Sequence, residues 1–494
     1  TFPVMRRPLA CLALLLTGFW SPLLAQQGVT EQLESWYAAA REQAPGLWGV
    51  VVADEKGEVL WSVNGSEPMV PASTVKLLTT GFARSVVGSE ARRPTRVVGT
   101  GGVGDDGTWQ GSWALELNGD PTFGRPSIGG PTLQMLAEQL RSIGVRRLTG
   151  PLELTSTAGP ARSRYPAAWP SRHRGRYYAP PIGPITINEN LVSFSVAPAG
   201  RRGEKPEITV DIPSGSTALI TNKATTAGGR TNRLAIRTDG DGWVITGTIG
   251  VNASPRRYTF VAHNPAAVMA AAWDAALARA GIVWDRNSKP TASEATTSRL
   301  LAEVVSPTFD EIATEVNRRS VNLGAELMLL WGAGPDDGPK RLERHVRSVT
   351  GIADGIRLVD GSGLADSDRI APVVFTSYLA AYPRTASGAD FPLLLPANGS
   401  GTLRNLNDGT LEDGVVRAKT GSINNVTTLV GYLGRPDGKL LVAAMYNGSN
   451  TTRARQAQWD LFRTLGADGV VIPPSDGGDD PIELPLGGEP VDTR

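Results

Sequence analysis

Pro71-Ala72-Ser73-Thr74-Val75-Lys76-Leu77-Leu78-Thr79-Thr80 is the stretch on which the reading of this chain turns. Val75, Leu78 and Phe82 recur every three to four residues, which predicts a helix. On a helix, Ser73 and Lys76 lie one turn apart and share a face. A serine hydroxyl is a poor nucleophile without a nearby base. Lysine serves as that base only when unprotonated, and burial or a second cation would drive its proton off. The bland alternative is an exposed serine and a solvated lysine near a helix start. Ser-x-x-Lys alone does not separate the two.

Two patterns far downstream do. Ser320-Val321-Asn322 comes first, then Lys419-Thr420-Gly421-Ser422. Alone, Ser-x-Asn is an ordinary polar helix face or cap, and Lys-Thr-Gly a hairpin with a turn glycine. Together with Ser73 they make an acyl-transfer site. Ser320 could relay a proton to a leaving amine alongside Lys76, and Asn322 could hold the Lys76 ammonium or a substrate amide. Lys419 follows the apolar-alternating run from Val415, which predicts a strand; at an edge, it would accept an extended peptide as a further strand. Lys419 and Thr420 would meet a terminal carboxylate, and Lys419 is the second cation that would lower Lys76. Gly421 leaves room for backbone approach. The N–H groups of Ser73 and Ser422 would form an oxyanion hole.

Around these motifs the pattern predicts α and β elements in succession. Leu33, Trp36 and Tyr37 mark a first helix. Val50–Ala53 and Val59–Trp61 flank Asp54-Glu55-Lys56-Gly57, a β-hairpin. From about 95 to 299, short β-like runs and Gly/Pro punctuation predict a β-rich insertion interrupted by one helix, at Leu133–Leu140. Helical pattern resumes over Phe309–Leu330, carrying Ser320 and Asn322. Val415–Lys419 and Val426–Tyr432 read as a strand pair, and Trp459, Phe462 and Leu465 as a terminal helix. The resulting division is a leader over 5–25, a discontinuous catalytic domain over 28–95 and 300–466, the insertion over 96–299, and an acidic, disordered tail over 467–494.

Composition narrows the function classes. Of 494 residues, 49 are Lys or Arg and 48 Asp or Glu, so nothing favours nucleic acid. Arg6, Arg7 and the apolar Leu9–Phe19 read as a secretory signal with cleavage near Ala25; an uncleaved signal-anchor is the alternative. The single cysteine, Cys11, falls inside that segment, so the mature chain would hold no disulfide. With cleavage, no stable membrane span is expected, and the location is periplasmic or wall-associated. His173, His263 and His345 have no metal-site spacing, and no metal or cofactor is expected. Gly99-Thr100-Gly101-Gly102-Val103-Gly104 matches a dinucleotide pattern, but no helix pattern follows it.

The chain resembles the class C penicillin-binding proteins, D-Ala-D-Ala carboxypeptidase/endopeptidases of the penicillin-binding protein 4 type. The resemblance rests on the three motifs and on Gly119-Asp120-Pro121-Thr122, Ala325-Glu326-Leu327, Asp360-Gly361-Ser362-Gly363-Leu364 and Gly401-Thr402-Leu403. It implies an α/β (α+β) fold: a five-stranded antiparallel sheet flanked by helices, with β-rich domains inserted between the first and second motifs. Ser73 would be acylated and Lys76 the base, with Ser320 and Asn322 as second motif and Lys419 as carboxylate-side cation. The partners implied are peptidoglycan stem peptides, with β-lactams as covalent inhibitors. A β-lactamase and a non-catalytic wall-binding or β-lactam-sensing protein are the competing readings. Two features bear on specificity. Asp120 stands at a strand end, either as a turn residue or as a receiver for a stem-peptide amine. Asp366 replaces the arginine that relatives often carry there, which would strengthen a preference for a cation.

Overall fold

The computed structural model describes residues 21–289, 297–406, 409–436 and 438–466, with only the backbone described over 21–29. The leader as far as residue 20, with Cys11, and the tail from 467 lie outside these residues. No described helix is long and apolar enough to cross a membrane.

The organising element is a five-stranded sheet: β1 (Leu47–Ala53), β2 (Val59–Val63), β3 (Val416–Ile423), β4 (Val426–Arg435) and β5 (Gly438–Asn447). Their spatial order is β2-β1-β5-β4-β3, antiparallel throughout. β4 and β5 are buried over nearly their whole length, so both faces need cover. The period of two divides them. Val430, Tyr432, Ala443 and Met445 face one core, together with α2 (Val75–Val87), α3 (Phe309–Arg319) and α4 (Asn322–Ala333). Leu429, Leu433, Val442 and Ala444 face a second core with α1 (Ser21–Gln43) and α5 (Thr451–Gly466). The sequence pattern predicts the β3–β4 pair; β5, which joins that pair to β1, completes the sheet.

Residues 94–305 build their own sheets. Pro94–Gly99, Trp113–Glu116, Glu153–Thr155 and Arg299–Val305 make one, and Leu191–Ala197, Glu207–Ile212 and Arg256–Val261 another. A third centres on Gly242–Gly250. Their shared core includes Trp113, Phe194, Trp243 and Trp273. Two helices lie here, not the single one expected: Leu133–Ser142 and Pro265–Arg279. The second is alanine-rich and begins with proline at its first turn, where the missing N–H is harmless. Its many alanines blur the apolar stripe that marks an amphipathic helix. The stretch after Gly99 is a strand–turn–strand, Gly102–Val103 pairing with Trp109–Gln110, with no helix for a pyrophosphate.

The helical pattern over 309–330 is two helices. α3 starts with a capping box, Thr308 and Glu311, and ends at Ser320, which is left-handed at φ 61°. α4 starts at Asn322. The second motif is therefore the corner between two helices.

Candidate active site

Three elements converge at the open edge of the sheet. The first is a short turn, Ala72–Thr74, leading into α2. Ala72 is left-handed at φ 48°, which turns Ser73 out of the chain direction. The second is the α3–α4 corner. The third is β3, the edge strand.

Lys76 is wholly buried and has three partners. Nζ lies 2.8 Å from Ser73 Oγ, 2.6 Å from Asn322 Oδ1 and 2.8 Å from the carbonyl oxygen of Ser362. Burial lowers its pKa from 10.5 to about 7, against the opposing pull of Asp360 and Glu326. Asn322 is fixed at both ends of its amide: Oδ1 accepts from Lys76, and Nδ2 donates to the Tyr178 carbonyl at 2.8 Å.

Lys419 is also wholly buried. Its Nζ donates to Ser320 Oγ at 2.9 Å and to the Thr420 carbonyl at 2.8 Å. Burial, with Lys76 and Arg455 nearby, pushes its pKa well below the ordinary lysine value. At Lys76 the largest cause is burial. Ser320 is tied to Lys419, and its hydroxyl reaches Lys76 only across the space between the two amines. Both amines lie beneath the surface, while Ser73 and Ser320 are partly exposed and Ser422 fully so.

Gly421 lies within β3 and is no turn glycine. A Cβ there would stand 2.2 Å from Thr428 Oγ1 and 2.9 Å from Ser73 N. Absence of a side chain lets the edge strand close onto the serine turn. Ala418 N donates away from the sheet, to the Pro396 carbonyl. By strand alternation the N–H groups of Thr420 and Ser422 also point off the free edge. Arg455 of α5 braces this end, donating to the Gly421 carbonyl at 2.7 Å, to Thr428 O at 2.9 Å and to Ser422 Oγ at 3.1 Å.

The loop Asp360–Ala365 forms the floor. The Asp360 carboxylate accepts from the backbone N–H groups of Ser362, Gly363, Leu364 and Ala365 and from Trp169 Nε1. This holds the Ser362 carbonyl on Lys76. Gly363 is left-handed at φ 76°, and a Cβ there would meet Ala72 O at 1.8 Å and Ser73 N at 3.1 Å. Glu326, one turn after Asn322 on α4, accepts from Gly361 N at 3.0 Å. Burial and the Asp360 charge raise its pKa above the ordinary carboxylate range, against the pull of the Gly361 N–H and Lys76. Sequence reasoning quoted these residues without giving them a role. Glu326 at i+4 from Asn322 was the available signal.

Asp120 is only 3% exposed. Its Oδ1 accepts from Thr122 N at 2.7 Å and Thr122 Oγ1 at 2.6 Å. Burial raises its pKa to about 6, partly offset by Arg93. Oδ1 thus takes the turn role, while Oδ2 is buried without a hydrogen-bond partner. Asp366 pairs with Arg172, so its charge is already met from within the chain and does not stand as a free receiver for a cation.

The helix-flanked antiparallel sheet with β-rich domains inserted is the fold of penicillin-binding D-Ala-D-Ala carboxypeptidases. The chain matches the D-Ala-D-Ala carboxypeptidase 3 (S13) family over residues 29–465, belongs to that family, and is a peptidase. A D-alanyl-D-alanine carboxypeptidase of Actinomadura sp. is 28% identical over 424 residues, covering 81% of this chain and 77% of that protein. A carboxypeptidase of Mycobacterium tuberculosis is 27% identical over 456 residues, covering 89% and 83%. Among solved structures, penicillin binding protein 4 from Haemophilus influenzae superposes with a TM-score of 0.69 at 20% identity, over 86% of this chain and 99% of that one.

Proposed function

We propose that Ser73 is the acylated nucleophile of a D-Ala-D-Ala carboxypeptidase acting on peptidoglycan stem peptides outside the cytoplasmic membrane. The observation that carries this reading is the set of three partners around Lys76 Nζ. A neutral amine has two N–H groups and one lone pair. Asn322 Oδ1 and the Ser362 carbonyl are both acceptors, so they take the two N–H groups. The lone pair is left facing the Ser73 hydroxyl at 2.8 Å. Burial supplies the neutral form near pH 7.

The chemistry follows. Substrate adds along β3 as a further strand, its terminal carboxylate at Lys419 and Thr420. An arriving carboxylate restores the charge that burial disfavours on Lys419. Ser73 Oγ attacks the carbonyl of the penultimate D-Ala while Lys76 takes its proton. The oxyanion lies on the N–H groups of Ser73 and Ser422. Ser320 hands a proton to the departing D-Ala amine, replenished from the adjoining lysines. Water then attacks the ester, and the proton path runs in reverse. A β-lactam enters by the same attack and stops at the ester. Cleavage of D-Ala cross-links requires only that the leaving-group side accept a second stem peptide in place of the terminal D-Ala, and it is part of the proposal.

The test is incubation with benzylpenicillin and peptide mapping, alongside turnover of a D-Ala-D-Ala peptide and of nitrocefin. An adduct on Ser73, with peptide turnover and slow nitrocefin hydrolysis, is expected. Fast nitrocefin turnover without peptide turnover would make the protein a β-lactamase. Labelling with neither turnover would make it a sensor.

A further inference from the structure

The corner that carries Ser320 is held from outside the catalytic elements. Ser320 has φ 61° and ψ 43°, a region that non-glycine residues enter only when something holds them there. Arg319, the residue before it, is largely buried. It donates from Nη1 to Glu189 Oε1 at 2.6 Å and from Nη2 to Glu189 Oε2 at 3.2 Å. Nη1 also reaches Glu315 Oε1, on its own helix, at 3.3 Å; burial works against the Arg319 charge, but Glu189 first and Glu315 second override it and hold the guanidinium pKa above its ordinary value.

Glu189 belongs to the inserted β-rich segment, and its own backbone is unusual. Asn188, Glu189 and Asn190 are all left-handed, at φ 47°, 54° and 56°. The flanking asparagines tolerate that region better than most residues. The surroundings fix the turn. Asn188 N donates to the Phe123 carbonyl, Asn190 Oδ1 accepts from Ile187 N, and Asn190 Nδ2 donates to the Pro181 carbonyl. Strain of this kind persists where the environment over-determines it, and it concentrates at functional sites. Here it pushes one buried carboxylate to the underside of the α3–α4 corner. Arg125 also reaches that carboxylate, but Arg125 is far from Ser320 in the chain.

We propose that Glu189 is a positioning residue for Ser320, acting through Arg319, so that the inserted segment sets the geometry of the second motif. The inference rests on the reading of Ser320 as proton relay. Val321 N closes on the Val316 carbonyl to end α3 in a left-handed cap, and Arg319, gripped at both nitrogens, fixes where that cap sits, so that Ser320 Oγ stays 2.9 Å from Lys419 Nζ. Loss of the grip displaces the hydroxyl while leaving the carboxylate-binding strand in place. The chemical step is therefore affected and binding is not.

The experiment compares Arg319→Lys, Arg125→Lys and Ser320→Ala in the full chain. Read out are kcat and KM on a D-Ala-D-Ala peptide, the first-order acylation constant with benzylpenicillin, and the melting temperature. Arg319→Lys keeps the charge and loses the two-point grip. It is expected to lower kcat and acylation on the order of tenfold or more, with KM changed less than about twofold. Arg125→Lys removes a donor from the same carboxylate without adjoining Ser320. It is expected to leave kcat within about twofold even where it lowers the melting temperature as much. Equal losses of kcat in both variants, a loss confined to KM, or normal kcat in Arg319→Lys beside a crippled Ser320→Ala would each overturn the clamp. Normal turnover in Ser320→Ala would remove the relay reading, and the clamp with it. Should Arg319→Lys not fold, Glu189→Asp, which retracts the charge by one methylene, replaces it with the same expectations.

Discussion

Lys76→Arg is the most incisive perturbation of this site. Wild-type Lys76, lowered from 10.5 to about 7, is about half neutral at pH 7. Holding its pKa that low disfavours the ammonium by roughly 5 kcal/mol relative to water. An arginine at the same place keeps its proton to above pH ~12, so the deprotonated fraction at pH 7 drops below about one in 10⁵. The guanidinium keeps positive charge near Ser73 and retains donors for Asn322 and the Ser362 carbonyl. It lacks the lone pair. Acylation by benzylpenicillin, followed by intact mass, is expected to fall by about three to five powers of ten. The wild-type profile supplies a second readout. The reactive form is the deprotonated one, so acylation rises with pH, about tenfold per unit below pH ~6, and levels off above pH ~8. On the alkaline side, Lys419 must be charged to hold a carboxylate. Its pKa is pushed down by burial, Lys76 and Arg455, so affinity for carboxylate-bearing ligands declines as pH rises. Acylation of Lys76→Arg within about tenfold of wild type, in a variant that melts normally, would refute the neutral-amine mechanism. So would a wild-type profile still climbing tenfold per unit at pH 9.

Three further outcomes follow from the geometry. Amidation of the substrate's C-terminus should weaken turnover by roughly 1.5–3 kcal/mol through loss of the charge-assisted bond at Lys419, and equal turnover of acid and amide would remove that role. Gly363→Ala forces a Cβ to 1.8 Å from Ala72 O at a φ of 76°, so acylation should collapse, together with a measurable loss of melting temperature; a variant with normal acylation would show that the loop and the serine turn are not tightly apposed. Asp120→Asn keeps the bonds Asp120 makes to Thr122, so discrimination between amine-bearing and acetylated stem peptides should be unchanged, and altered discrimination would reinstate Asp120 as a substrate contact.

The catalytic half of the fold was legible because its signals are local. The apolar period around Ser73, the hairpin at Asp54–Gly57 and the β3–β4 pair each declare themselves within twenty residues. What escaped depends on distant parts of the chain meeting. The left-handed Ser320, with Val321 N turned back onto the Val316 carbonyl, splits one apparent helix into two. Nothing near Asp360 says that its carboxylate gathers four backbone N–H groups, or that Ser362 presents its carbonyl to Lys76. Tyr178 reaches Asn322 from the insertion through a backbone atom, which leaves no mark in side-chain chemistry. Asp120 stayed open between two roles because a turn residue and a substrate carboxylate look alike in sequence.

The order of strands has a consequence for the assembly of the site. β1 is made early and β5 late, and Val70 N, just before the serine turn, donates to Asn447 Oδ1 across 377 residues. The sheet against which the serine turn packs cannot close until the last strand is available. Such non-local pairing is slow to form. Ser73 and Lys76 precede by about 370 residues the strand that closes the sheet beside them. The β-rich segment, with its own core, is free to fold during that wait. The nucleophile and its base thus come from the early part of the sequence, while the strand that closes the sheet beside them comes from the late part.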